Sequence, residues 1–403
     1  MIKHKTIQVG DLKIGAEERE AINAVLDSGR ITEGAKVRDF EKNFSSYIGT
    51  KYAVALNSGT SALIAGLTAL KYLGIVKENT NIITTPVTYI STSSSIALSG
   101  FSPVYVDVDP ETFVITPDRI KEYLEFGDNA QKTSVILPVH LMGYACDMEK
   151  INALSKKGGS VVFEDSAQAL GTVYRGKRAG NMSLLSDFSF YIAHNVQAGE
   201  MGALVTDDPE IRRMVTKIKA NGRACDCFRC TRSEGICPKS FKGEEDLDPR
   251  FTHEVIGYNF KTMEFQAAIA LEQLKKVEQI IKKRNENVKH LNDLLAKHSG
   301  IIQLPKHSLD VSYLAYPLVI KKPGIISRKK LRENLEKLGV ETRPLFGCIP
   351  TQQPAFAHLK NDYKGKLPNA EYLGENAFYI GCHQYLSEDD LEYMAKCFSE
   401  VLL

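Results

Sequence analysis

Short apolar runs that end in small or polar residues, each followed by an amphipathic segment, constrain this chain more than any other feature. Tyr52-Ala53-Val54-Ala55-Leu56 reads as a buried strand, Asn57-Ser58-Gly59-Thr60-Ser61 as a turn, and residues 62–67 as the start of a helix. The pattern recurs. Strands are expected at 81–86, 104–109, 134–140 and 161–165, and helices at 117–126 and 147–157. Such alternation implies an α/β layout with a mostly parallel central sheet. Ligands of such sheets gather at the carboxyl ends of the strands, and Asn57, His140 and Asp165 lie near such ends. A strand, a small-residue turn and a helix start also offer backbone N–H groups to an anion. A plain helix cap by Ser58 or Thr60 is the other reading of that turn.

Beyond residue 205 the spacing of Ile211, Met214, Val215 and Ile218 predicts an amphipathic helix. A long helix is expected from about 264 towards 291, with lysine-rich, solvated later turns. A strand at 313–320 and helices at 327–338 and 388–401 suggest a smaller α+β unit. The expected division is a large domain at 1–275 and a small C-terminal domain at 276–403. The 403 residues suffice for two such cores. A net charge of +2 gives no reason to expect nucleic acid or an acidic membrane as partner. No apolar run reaches the ~18 residues of a membrane span, and no secretion signal opens the chain, so a cytoplasmic location is expected. Residues 171–178 nearly match a phosphate-binding loop, but Arg178 stands where Ser or Thr should hold magnesium; a hairpin is expected there.

Two stretches carry unusual chemistry. Residues 187–204 run from an aromatic strand, Asp187-Phe188-Ser189-Phe190, through a polar turn with His194 at its tip. Gly199 and Gly202 then let the chain fold back into an apolar strand. The second stretch gathers Cys225, Cys227, Cys230 and Cys237. In a cytoplasmic chain such crowding favours a metal over disulfides. The spacing alone suits iron–sulfur or zinc equally.

The order of Ser58-Gly59-Thr60-Ser61-Ala62-Leu63, Pro138-Val139-His140-Leu141-Met142-Gly143, residues 164–171, Asp187-Phe188-Ser189-Phe190, Gly257-Tyr258-Asn259-Phe260-Lys261 and Thr342-Arg343-Pro344-Leu345-Phe346 resembles the DegT/DnrJ/EryC1/StrS sugar aminotransferases. The resemblance covers nearly the whole chain. It implies the aspartate aminotransferase-like fold of type I PLP enzymes. By this likeness Asp165 would face the cofactor's pyridine nitrogen, with Gln168 beside it. Gly59, Thr60 and Ser189 would hold the phosphate, and Tyr89 would stack on the ring unless it is ordinary core. Asn259 would reach the neighbouring phosphate across a homodimer. His140 reads as either a substrate contact or a structural histidine, and Arg343 as a substrate-phosphate ligand or a surface arginine.

The chain departs from the family where His194 replaces the Schiff-base lysine. Imidazole cannot tether PLP, but it can move a proton. With the cysteine cluster, this is similar to the 3-dehydratases of 3,6-dideoxyhexose biosynthesis. That resemblance implies pyridoxamine 5′-phosphate (PMP) held without a covalent bond, His194 as base, and a [2Fe–2S] cluster on Cys225, Cys227, Cys230 and Cys237. It also implies an NDP-4-keto-6-deoxyhexose substrate losing its C3 hydroxyl, and a flavin or iron–sulfur reductase as electron donor. The cysteine spacing departs from that subgroup's pattern, and Met201 stands where the family has glycine. The rival expectations are a glutamate-coupled 3-dehydratase with zinc, and a non-catalytic PLP-binding relative.

Overall fold

The computed structural model describes residues 6–225 and 251–402. Its main sheet contains β1 (Tyr52–Leu56), β2 (Asn81–Thr84), β3 (Ser102–Tyr105), β4 (Thr133–Leu137) and β5 (Val161–Asp165). After a small hairpin of β6 (Val173–Tyr174) and β7 (Lys177–Arg178) come β8 (Leu185–Ser189) and β9 (Gly202–Thr206). The strand order is β1-β9-β8-β5-β4-β2-β3. β9 runs antiparallel to both its neighbours, and the remaining pairings are parallel. The sheet is therefore mostly parallel, as expected, with one reversed strand. The reversal follows from the direct return after β8, where Gly199 takes φ 82°. Residues 190–201 contain no helix to carry the chain across the sheet face, as a parallel crossover usually has.

Helix Gly59–Tyr72 packs against one face of the sheet. Most of its side chains are buried, and Gly66 faces the Phe163 ring so closely that a Cβ would collide with it. Phe163 and Leu185 are register partners, as are Asp165 and Asp187. Side chains alternate along a strand, so Phe163, Asp165, Leu185, Asp187 and Ser189 share the face that this helix covers. Phe188 and Phe190 point the other way. They meet Phe44 edge-on at 5.0 and 5.2 Å, and helix Ala35–Ile48 closes that second core. The alternation in Asp187-Phe188-Ser189-Phe190 thus anchors β8 by its aromatic face and turns its polar face towards the helix N-terminus.

The second sheet joins β10 (Ile302–Gln303), β11 (Tyr316–Ile320), β12 (Thr342–Pro344) and β13 (Ala377–Ile380), in the order β10-β11-β13-β12, all antiparallel. The long helix expected from 264 is broken at Lys276 (φ −98°, ψ −2°) into Glu264–Lys275 and Val277–Leu295. Its later turns are less solvated than the lysines suggest. Arg284 is fully buried and donates to the carbonyls of Tyr313 and Leu314 at 3.3 and 2.8 Å. The hairpin expected in place of a phosphate loop is present, with Arg175 and Gly176 at its tip in positive φ. Among the described residues no helix is long and apolar enough to cross a membrane.

Candidate active site

A cleft of ≈ 510 Å³ opens where β1, β2, β5 and β8 end. It brings together Gly59, Thr60, Tyr89, Asp165, Gln168, Ser189, His194 and Arg343 from distant parts of the chain. Gly59 and Thr60 open helix Gly59–Tyr72, whose cap is Ser58. The Ser58 hydroxyl accepts from the Ser61 N–H at 3.1 Å and lies 2.9 Å from the Ser61 hydroxyl, which donates to Asn57 Oδ1 at 2.6 Å. A Cβ on Gly59 would lie 2.9 Å from Ser189 Cβ, and one on Gly202 would fall on the Ser58 carbonyl. Those two glycines let the helix start, β8 and β9 converge. The free N–H groups of a helix start suit a phosphate.

Asp165 lies at the other end and is 4% exposed. Thr92 donates its hydroxyl to Oδ2 at 2.9 Å, and the Ala167 N–H reaches Oδ1 at 3.3 Å. Thr92 is in turn 2.9 Å from the Thr88 hydroxyl. Burial raises the Asp165 carboxyl above its ordinary range, while Thr92, Ala167 and His140 counter part of that effect. A cation beside it would restore the ionised form. The Gln168 carbonyl oxygen accepts from the Met142 N–H at 3.0 Å, which fixes that side chain at the cleft wall. Tyr89 is 60% exposed and meets Phe346 edge-on at 6.0 Å, so it is not ordinary core. Arg343 comes from β12 and pairs with Glu341 at 3.0 Å while lining the mouth.

His194 sits in the turn after β8, where its N–H donates to the Tyr191 carbonyl at 2.9 Å. Its Nδ1 is buried without a partner. Burial, aided by the nearby Arg284 guanidinium, pushes the imidazole down to about 4, so it is neutral at neutral pH. No lysine is among the described residues that line the cleft.

His140 requires a correction. It is 0% exposed, its Nε2 lies 3.0 Å from Glu164 Oε2, and its Nδ1 accepts from the Cys146 N–H at 3.1 Å. Both ring nitrogens are engaged, so His140 is structural and not a substrate contact. The cause is strand alternation: Glu164 points away from Asp165 and also accepts from Gly180, Met182 and Ser183. Asn259 is exposed, bridges to Ala220 and does not line the cleft. Cys225 is half-buried; Cys227, Cys230 and Cys237 lie outside the described residues. Among the described residues no cluster of His, Cys, Asp and Glu is arranged to hold a metal. Sequence reasoning missed Thr92 and Asp187. The polar and aromatic alternation of residues 187–190 was a signal for Asp187; Thr92 had none beyond a run of Ser and Thr.

The chain matches the DegT/DnrJ/EryC1/StrS aminotransferase family over residues 12–399. It belongs to that family. It is similar to the lipopolysaccharide biosynthesis protein RfbH of Salmonella typhimurium, with 30% identity over 96% of this chain and 90% of that one. Among solved structures it superposes on a GDP-4-keto-6-deoxymannose-3-dehydratase with a trapped PLP-glutamate geminal diamine (TM-score 0.84, 28% identity, 97% and 100% of the chains). It superposes equally well on Helicobacter pylori PseC, an aminotransferase involved in the biosynthesis of pseudoaminic acid (TM-score 0.85, 25% identity, 99% of both chains). The fold is thus that of the type I PLP aminotransferases, and family membership supports pyridoxal or pyridoxamine phosphate as the cofactor. The cleft fits such a group: it is lined by the buried Asp165, by Asp187, whose carboxylate oxygens have no donor, and by the N-terminus of helix Gly59–Tyr72.

Proposed function

We propose that this chain is a PMP-dependent 3-dehydratase acting on an NDP-4-keto-6-deoxyhexose in deoxysugar biosynthesis. The observation that carries the reading is His194 in a cleft lined by no lysine among the described residues. Without an amine the cofactor has no covalent tether. When bound, PMP supplies an electron-withdrawing ring that stabilises negative charge developing next to it. Asp165 would keep the ring nitrogen protonated. Gly59, Thr60 and Ser189 would hold the phosphate, and Gln168 and Tyr89 would contact the ring. His194, kept neutral by its surroundings, would take a proton at the cofactor's C4′ carbon, and the sugar's C3 hydroxyl would leave with a proton as water. Arg343 answers the substrate's phosphates, and the exposed Asn259 reaches the neighbouring site in a homodimer. Cys225, Cys227, Cys230 and Cys237 would hold a [2Fe–2S] cluster, which would supply one-electron transfer from a partner reductase. The crowding of the four cysteines supports a metal, and the resemblance to the 3-dehydratases of 3,6-dideoxyhexose biosynthesis supports iron–sulfur over zinc.

The decisive experiment incubates the protein and PMP with GDP-, CDP- and dTDP-4-keto-6-deoxyhexoses, with and without a reductase. Loss of the C3 hydroxyl supports the proposal; amination at C4 overturns it in favour of an aminotransferase, and no turnover favours a non-catalytic relative. His194→Asn should retain PMP and lose C3–O cleavage. A second reading, a glutamate-coupled dehydratase with zinc, is favoured by the glutamate adduct trapped in the similar dehydratase. Iron with acid-labile sulfide supports the cluster; zinc without iron, and turnover sustained by glutamate, support the second reading.

A further inference from the structure

The cleft holds a second carboxylate that none of the roles above uses. Asp187 is 1% exposed, lines the cleft floor, and neither of its oxygens has a hydrogen-bond partner. It is the register partner of Asp165 across two parallel strands, on the same face of the sheet. On its other side β9 offers only the apolar Leu204, and the helix above contributes Gly59, Thr60 and Leu63. The other titratable or charged groups lining the cleft are Tyr89, Tyr191, His194, Glu200, Arg343 and Tyr379, and from outside the cleft His140 acts on Asp165, favouring its ionised form. A buried carboxylate with no donor and a carboxylate neighbour cannot stay ionised at small cost.

We propose that Asp187 and Asp165 form a proton-sharing pair, which carries one proton in the empty cleft and releases it to solvent when a cationic ring nitrogen docks. This rests on the cofactor reading of the cleft given above. The charge balances. The empty pair holds one negative charge and one proton; with a cation alongside, both carboxylates ionise and the proton goes to water. Burial and the neighbouring Asp165 both raise the Asp187 carboxyl well above its ordinary range, consistent with its holding that proton. Asp187 is then the residue that makes cofactor capture depend on pH, while Asp165 faces the ring nitrogen.

The test is calorimetric titration of the full chain with PMP, in buffers of different ionisation heat, between mildly acidic and mildly alkaline pH. The wild type should release about one proton more on binding than Asp187→Ser or Asp187→Thr, and its affinity should rise by up to about tenfold per pH unit relative to those variants. Equal proton release in wild type and variants overturns the proposal while leaving the cofactor reading intact. Failure of the wild type to bind PMP at any pH overturns both. Where the variants do not fold, the infrared difference spectrum of the wild type decides. Loss of a protonated carboxyl stretch on adding PMP supports the pair, and its persistence overturns it.

Discussion

The two ends of the cleft are built on opposite principles. At the helix end Ser58, Ser61 and Asn57 bond one another, so that end is complete before anything binds. At the sheet end Asp165 has two donors and Asp187 has none. A satisfied polar network adds stability, whereas unpartnered buried carboxylates cost it until a cation arrives. Substitutions at the first end should therefore damage the folded protein, and those at the second should damage binding while sparing or stabilising the empty chain.

The largest effect expected is at the sheet end. Asp165→Asn removes the charge proposed to face the ring nitrogen, and turnover should fall on the order of 10²–10³-fold, the scale for losing one preorganised electrostatic partner. The melting temperature of the empty protein should not fall. If it drops together with activity, Asp165 is a structural residue and the contrast between the ends fails.

Gly202→Ala probes the other end. Its Cβ would fall on the Ser58 carbonyl, so β9 or the helix start must shift. Overpacking of this kind costs about 1–3 kcal/mol, which a denaturant melt of the empty protein would read. An unchanged midpoint would show that the helix end is looser than its bonding suggests.

The pH dependence of the empty protein's stability separates the groups by sign. The Asp187 carboxyl is raised above its unfolded value, so its stabilising contribution is present below the ordinary carboxylate range and is lost as pH rises through its folded value. His194 is depressed to about 4, so its contribution is present near neutrality and is lost as pH falls from the ordinary histidine range towards 4. Asp187→Ser should partly flatten the decline that sets in above the ordinary carboxylate range, since Asp165 is raised by burial as well, and His194→Asn should partly flatten the decline on the acid side. The second flattening is only partial because His383 is also pushed down to about 4. Chemical denaturation at several pH values would check both slopes.

What the sequence made legible and what it hid divide along the same line. The strand ends, the small-residue turn at 57–61, the alternation at 187–190 and the histidine in place of lysine are local patterns, and each placed a residue in the cleft. What escaped depends on pairings between distant segments. The orphaned state of Asp187 follows from the register of β5 with β8. The Thr92 bond to Asp165 joins residues 73 positions apart. His140 lies near a strand end like the other site residues, but Glu164 turns to the opposite face and holds it there. The break at Lys276 was hidden because an uninterrupted helical period says nothing about a change of direction between turns.

The smallest effect is the finest test of the contrast. Ser58→Ala deletes the cap of helix Gly59–Tyr72 and leaves the Ser61 N–H without its acceptor. Loss of such a cap costs roughly 0.5–2 kcal/mol of stability. The Ser61 hydroxyl keeps its bond to Asn57, and the backbone donors of Gly59 and Thr60 are untouched, so the first turn should keep its direction. Phosphate capture should then weaken by less than about tenfold, the equivalent of ~1.4 kcal/mol. Matched melts and PMP titrations give the two numbers. A stability loss with nearly constant affinity is expected of an end that is complete in the empty protein. A large affinity loss at unchanged stability would mean that the helix end, like the carboxylate end, is finished only by its ligand.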